Sequence, residues 1–266
     1  MTTRRFNVKI EPHISAIPFR ERSRGRALPL LSKDDAAALA AISTIERWPK
    51  GAVGYRARSA AHSVYDLVQG VVKTYDTRPD KSVSISGFHF AGDVFGLAQQ
   101  GQYLESAEAV IPAVVFRIPL DRLEALLTRD PTFGVRVVCK LTDDLRKKHR
   151  HAMILSRNDA LGKFAMFLSM LEDLSQRGSE RDIYFPMMRS DAAQFIGLTL
   201  EAMSRASNAL ERAHVLEFID RHHFRILDRD RFDELLAGSY KVPVERKRAA
   251  GARVKKASDG GKRARP

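Results

Sequence analysis

Cysteine, acidic charge and long apolar runs are what this sequence has least of. The single cysteine, Cys139, excludes an intrachain disulfide and any zinc site or iron–sulfur cluster held by the cysteines of one chain, and it suits a reducing cytoplasm. No run of about 18 apolar residues occurs, so no membrane span is expected. Arg4 and Arg5 are followed by no apolar segment of the kind a signal peptide needs. Asp and Glu number 32 against 45 Lys and Arg, and the net charge of +13 favours an anionic partner such as nucleic acid.

That charge is unevenly placed. From Lys241 onward ten Lys or Arg face only Glu245 and Asp259, so this stretch carries +8 and residues 1–240 about +5. Residues 238–266 are expected to be a basic disordered tail, either holding phosphates by counterion release or simply solvated. Residues 1–30, with Pro12, Pro18, Pro29 and the basic "FRERSRGRA", are expected to be a flexible basic arm. The remaining chain is long and apolar enough, at 44% hydrophobic overall, for one large or two ordinary domains.

The stretch "SKDDAAALAAISTI" predicts a helix capped by Ser32. From Trp48 to Pro119 short β-rich pieces, "SVYDLVQG", "VVKTYDT", "SVSISGFHF" and "AVVFRI", are punctuated by glycines, which predicts a β-roll within residues 31–130. Its turn-rich "FAGDVFGLAQQGQYLESAEAV" is the expected place for any ligand pocket. Over 131–157 Val138, Leu141, Leu145, Lys148, Ala152 and Leu155 recur at heptad spacing, the seam of a dimerisation helix, or of a helix packed on the β domain of its own chain. Cys139 on this helix reads as a small core hydrophobe, with redox control the alternative. A further helix begins at Asn158 or Asp159, and a compact C-terminal unit starts near Ile183.

Within "GLTLEAMSRASNAL" Thr199 caps a helix on which Glu201, Ser204, Arg205, Asn208 and Arg212 share one sector and Met203, Ala206 and Leu210 the opposite one. Ser190 is expected to cap the helix before it, and Gly197 permits the tight turn between them. "VLEFI" and "HFRIL" flank "DRHH" as a hairpin, which makes 158–237 a winged helix-turn-helix. In a major groove Arg205 suits guanine O6 and N7, Glu201 a cytosine or adenine amino group, and Ser204 or Leu200 a thymine edge. Ser190, Thr199, Asn208, Arg212 and the wing tip, Arg221 and His222, are expected on the sugar-phosphate backbone. The alternative is a solvated face with an i,i+4 ion pair, and an exposed turn at the histidines.

"MMRSDAAQFIGLTLEAMSRASNALERAHVL" resembles the DNA-binding domain of the CRP/FNR superfamily, and its E-x-x-S-R head is similar to the FNR and FixK branches; "AGDVFGL" followed by "SAEAV" looks FixK-like. The resemblance covers roughly residues 30–236 and implies an α+β chain of roll, long dimer helix and winged domain. It further implies that Glu201, Ser204 and Arg205 read TTGA-type half-sites, that Arg189 touches phosphate, and that a homodimer recruits RNA polymerase as an activator. Cyclic-AMP-binding relatives carry Arg before Ser or Thr after the pocket helix, whereas this chain has Glu105-Ser106, so no cyclic AMP, no other small-molecule effector and no cofactor is expected. Low-oxygen or nitrogen-oxide metabolism is the regulon the likeness implies. A repressor of the same architecture gated by haem, with His62 or His89 as ligand, or by a nucleotide is the alternative. An enzyme is not expected, because a cupin-like metal site needs a histidine pair and "GFHF" supplies one.

Overall fold

The computed structural model describes residues 33–80, 82–175 and 182–239. The basic arm, the Ser32 cap and the tail beyond Ser239 lie outside the described residues. The first helix, α1, is Lys33–Ile42, shorter than the pattern suggested: Thr44–Trp48, containing β-branched Thr44 and Ile45, forms strand β1 instead.

The roll is built on two long antiparallel strands, β3 (Ser63–Thr77) and β8 (Ser106–Pro119). β1 and β2 (Val53–Tyr55) pair with β8, while β4 (Val83–His89) and β5 (Val94–Phe95) pair with β3. β6 (Ala98–Gln99) and β7 (Gln102–Tyr103) make a small hairpin beside them. The pieces 63–70 and 71–77, split at Gly70 in the sequence pattern, are one strand. Gly70 adopts φ +97°, the register shifts around it, and a Cβ there would run into the Pro112 carbonyl, so the glycine makes a bulge rather than a break. Trp48, Tyr55, Tyr65, Leu67, Phe95, Tyr103 and Val115 fill the roll.

α2 (Leu120–Arg129) leads into α3 (Pro131–Ser156), where Asp130 accepts a hydrogen bond from the Phe133 amide at 3.0 Å and Pro131 opens the first turn. One side of α3 is buried through Phe133, Cys139, Lys140 and Ile154. The heptad row lies on the other side: Val138 is 43%, Leu141 39%, Leu145 68% and Leu155 44% exposed, with Ala152 exposed as well. The row therefore does not pack on its own β domain. Lys148 leaves it sideways, its Nζ donating to the Ser86 carbonyl of β4 at 3.1 Å.

The roll-facing side of α3 is docked by charge. Asp93 is buried, accepts from the Phe90 amide at 2.9 Å, pairs with Lys147 and lies 3.6 Å from Lys140; Asp144 binds both lysines, at 2.6 Å and 3.1 Å. Burial alone would raise the Asp93 pKa, but Lys147 and Lys140 outweigh it and hold the carboxyl below its usual range.

α4 (Ala160–Ser175) buries Phe164, Ala165, Phe167, Leu168 and Leu171 in a core shared with Phe185, Phe224 and Phe232, so it belongs to the C-terminal unit, which begins well before Ile183. That unit continues with β9 (Ile183–Tyr184), α5 (Arg189–Phe195), α6 (Leu200–Arg212), β10 (Leu216–Phe218), β11 (His223–Ile226) and α7 (Arg229–Ala237). β9 adds a third strand to the hairpin, pairing with β11. Gly238 ends α7 in the left-handed conformation, so the folded chain extends past residue 237.

Candidate nucleic-acid interface

The turn between α5 and α6 is built by local chemistry. Gly197 has φ +66°, and Leu198 donates back to the Ala193 carbonyl at 2.9 Å, closing the first helix. Thr199 Oγ1 accepts from the Ala202 amide at 3.1 Å and caps the second. Ser190 does not cap α5: it lies within the first turn, and Met188 at the cap position makes no side-chain bond. Thr199→Ala is expected to lower stability by about 1 kcal/mol, readable in chemical denaturation.

α6 buries Met203, Ala206 and Leu210 and presents Leu200, Glu201, Ser204, Arg205, Asn208 and Arg212 to solvent. Arg205 Nη1 donates to Glu201 Oε1 at 3.1 Å with both side chains more than two-thirds exposed, so the carboxylate holds the guanidinium above an open face. An exposed pair of this kind contributes at most about 1 kcal/mol to stability. Its consequence is orientation.

The flanking residues divide. Arg189 is clamped between two rings, 4.4 Å from the Phe185 centroid and 3.9 Å from that of Phe218, and its Nη1 has no hydrogen-bond partner among the described residues. This ties α5 to the wing. At the wing tip Arg221 is exposed, while the His222 ring folds back to 3.1 Å from the Phe185 carbonyl. His223 turns to Asp220 at 2.9 Å.

The turn-rich stretch 90–110 supplies a small part of the wall of one cavity in the roll. A cavity of about 260 Å³ lies in the roll, lined by Glu46, Tyr55, His62, Tyr65, Tyr103 and Arg117 among others, and of these six only Tyr103 comes from that stretch. Ser106 Oγ accepts from the Ala57 amide at 3.0 Å, and Glu105 precedes it in the chain. His89 sits 3.2 Å from Thr74 Oγ1 and stacks on Phe95. Burial pushes its pKa down from 6.5 to about 4, with Lys148 adding to the shift and Asp93 opposing it. The unfolded chain therefore takes up this proton first, and the neutral ring's contribution to stability is full above about pH 6.5 and is lost as pH falls toward 4. His89→Gln is expected to flatten the fall in melting temperature across that window, checked by thermal melts from pH 7 down.

Between the roll and the winged domain the structure brings together residues that no local pattern connects. Lys73 on β3 donates to Asp191 on α5 at 3.0 Å and lies 3.3 Å from Glu108 on β8. Phe195 stacks on His151 of α3 at 3.8 Å and 7° and meets Phe88 of β4 edge-on at 5.1 Å.

Comparison with known proteins accords with both halves. Residues 45–130 match a cyclic nucleotide-binding domain family and residues 162–235 a Crp-like helix-turn-helix domain family. The chain is similar to the transcriptional activatory protein AadR of Rhodopseudomonas palustris, 34% identical over 66% of this chain and 74% of that one. It is similar to the fumarate and nitrate reduction regulatory protein of Yersinia pestis, 28% identical over 63% and 68%. Among solved structures it is similar to FixK2 of Bradyrhizobium japonicum, with a TM-score of 0.67 and 29% identity over 73% of this chain and 97% of that one.

Proposed function

The chain belongs to the CRP/FNR family of DNA-binding transcription regulators, which are not enzymes, and from that premise we infer that it binds TTGA-type palindromes as a homodimer without cyclic AMP. The observation that carries base reading is the open Glu201–Arg205 pair on α6, held above a buried Met203, Ala206 and Leu210 face by the Thr199 cap. Arg205 reads guanine, Glu201 an amino group opposite, and Ser204 and Leu200 a thymine edge. Asn208, Arg212, Thr199, Ser190, Arg189 and the wing tip lie against phosphates.

The exposed row Val138, Leu141, Leu145, Ala152 and Leu155 joins two copies, and a two-fold dimer places two copies of α6 in successive major grooves. It acts as an activator, which its likeness to the transcriptional activatory protein AadR supports, and it recruits RNA polymerase. Control of low-oxygen or nitrogen-oxide metabolism is supported by the names of the fumarate and nitrate reduction relatives. Independence of cyclic AMP is supported by Glu105, a carboxylate where a cation would meet a cyclic phosphate.

The test is binding of a labelled TTGA palindrome by the purified protein, with and without cyclic AMP, beside its absorbance spectrum. The expected result is tight binding without ligand, unchanged by cyclic AMP, and no Soret band. Binding that requires cyclic AMP, or a Soret band, contradicts it in favour of the ligand-gated repressor.

A further inference from the structure

We propose that Lys73 is a positioning residue for DNA reading: through Asp191, and with the His151–Phe195 stack as a second point, it fixes the helix-turn-helix on the roll at one orientation. The proposal rests on α6 being the reading head, and it adds what aims that head.

The two contacts grip α5 at both ends. Near its start, Asp191 receives the Lys73 ammonium at 3.0 Å, with both side chains 11% exposed, and Glu108 stands on the other side of the same nitrogen at 3.3 Å. At its end, Phe195 lies flat on His151, whose Nε2 donates to the Phe195 carbonyl at 2.6 Å, and its ring touches Phe88. The partners come from β3, β8, β4 and α3, which are the roll and the dimer helix. Only Ile196–Thr199 separates α5 from α6, so an orientation imposed on the first helix is passed to the second.

A buried ion pair suits this task better than apolar contact. Phe88 against Phe195 changes energy gradually as surfaces slide. A desolvated ammonium and carboxylate lose their bond within about an ångström of displacement while remaining out of water, so one geometry is sharply preferred. Burial pulls the Lys73 pKa down, but Asp191 and Glu108 outweigh it and keep the ammonium charged at neutral pH. The aim of each α6 in a dimer sets the distance between the half-sites it can read at once, so these residues set operator spacing.

The experiment compares full-length wild type with Lys73→Met, Lys73→Arg and Asp191→Asn. Hydrogen exchange of the α5 amides is expected to quicken in Lys73→Met and Asp191→Asn, with the amides of the roll sheet unchanged. In binding to palindromes whose spacer is varied by single base pairs, these two variants are expected to lose about tenfold on the preferred spacer, the scale of one charge-assisted hydrogen bond. They are also expected to discriminate less between spacers, while Lys73→Arg retains wild-type preference. A loss of packing alone would weaken all spacers together. Asp191→Asn removes charge at nearly constant shape, so it carries the test should the methionine variant not fold. Wild-type α5 exchange in both neutralised variants overturns the proposal whatever the DNA target is, and so does an unaltered spacer preference. A wild type indifferent to the palindrome but with quickened α5 exchange in the variants would sink the reading of α6 and leave the positioning contact standing.

Discussion

Arg205→Ala is expected to abolish the preference for guanine in each half-site while leaving the fold intact. The side chain is 71% exposed and its one partner, Glu201, is 79% exposed, so removing the pair costs the folded state at most about 1 kcal/mol. On DNA the same guanidinium can make two parallel hydrogen bonds to guanine O6 and N7, worth about 1–3 kcal/mol of discrimination per half-site. A dimer reads two half-sites, so the total is about 2–6 kcal/mol, or roughly 30-fold to ten-thousandfold in affinity. The measurement is competition between the palindrome and the same duplex with both guanines replaced. Equal loss on the palindrome and on random duplex would remove base reading from Arg205.

The second large effect is expected from Leu145→Glu. Leu145 is the most exposed of the row's large apolar residues at 68%, and it lies between Leu141 and Ala152 on a face that its own roll does not cover. Each leucine buried across a dimer seam contributes about 1.5–3 kcal/mol per copy. A glutamate there forfeits that gain and sets two carboxylates near the two-fold axis. Sedimentation should show a folded monomer whose melting temperature is below that of the wild type and no longer rises with protein concentration, and affinity for the palindrome should fall at least about a hundredfold because the second half-site is no longer delivered at high effective concentration. A variant that remains dimeric with wild-type affinity would place the interface elsewhere.

What could be read from the sequence is what short-range chemistry controls. The Thr199 cap, the Gly197 turn and the opposed faces of α6 follow from residues within a turn or two of one another, and all three stand in the structure. The heptad row was equally visible, because its period needs only α3 itself. Its relation to the roll was not, since which side of α3 is buried depends on Asp93, about fifty residues away, meeting Lys140 and Lys147.

The misreadings share that cause. β9 is two residues long and exists as a strand only because β11 lies beside it. Ser190 has the side chain of a cap, but the chain enters α5 two residues too early for it to act as one, with Met188 at the cap position. Gly70 looks like a break, and becomes a bulge because β8 continues past it. Nothing near Lys73 in the sequence announces Asp191, which is 118 residues away.

Selection of bound sequences from a random duplex pool by the purified chain, with no ligand added, decides whether it reads a TTGA-type palindrome as a dimer without an effector. Enrichment of a single two-fold symmetric sequence with TTGA-type half-sites at one spacing is the expected result. Enrichment of an unsymmetric sequence, or enrichment only after a nucleotide is supplied, would contradict it.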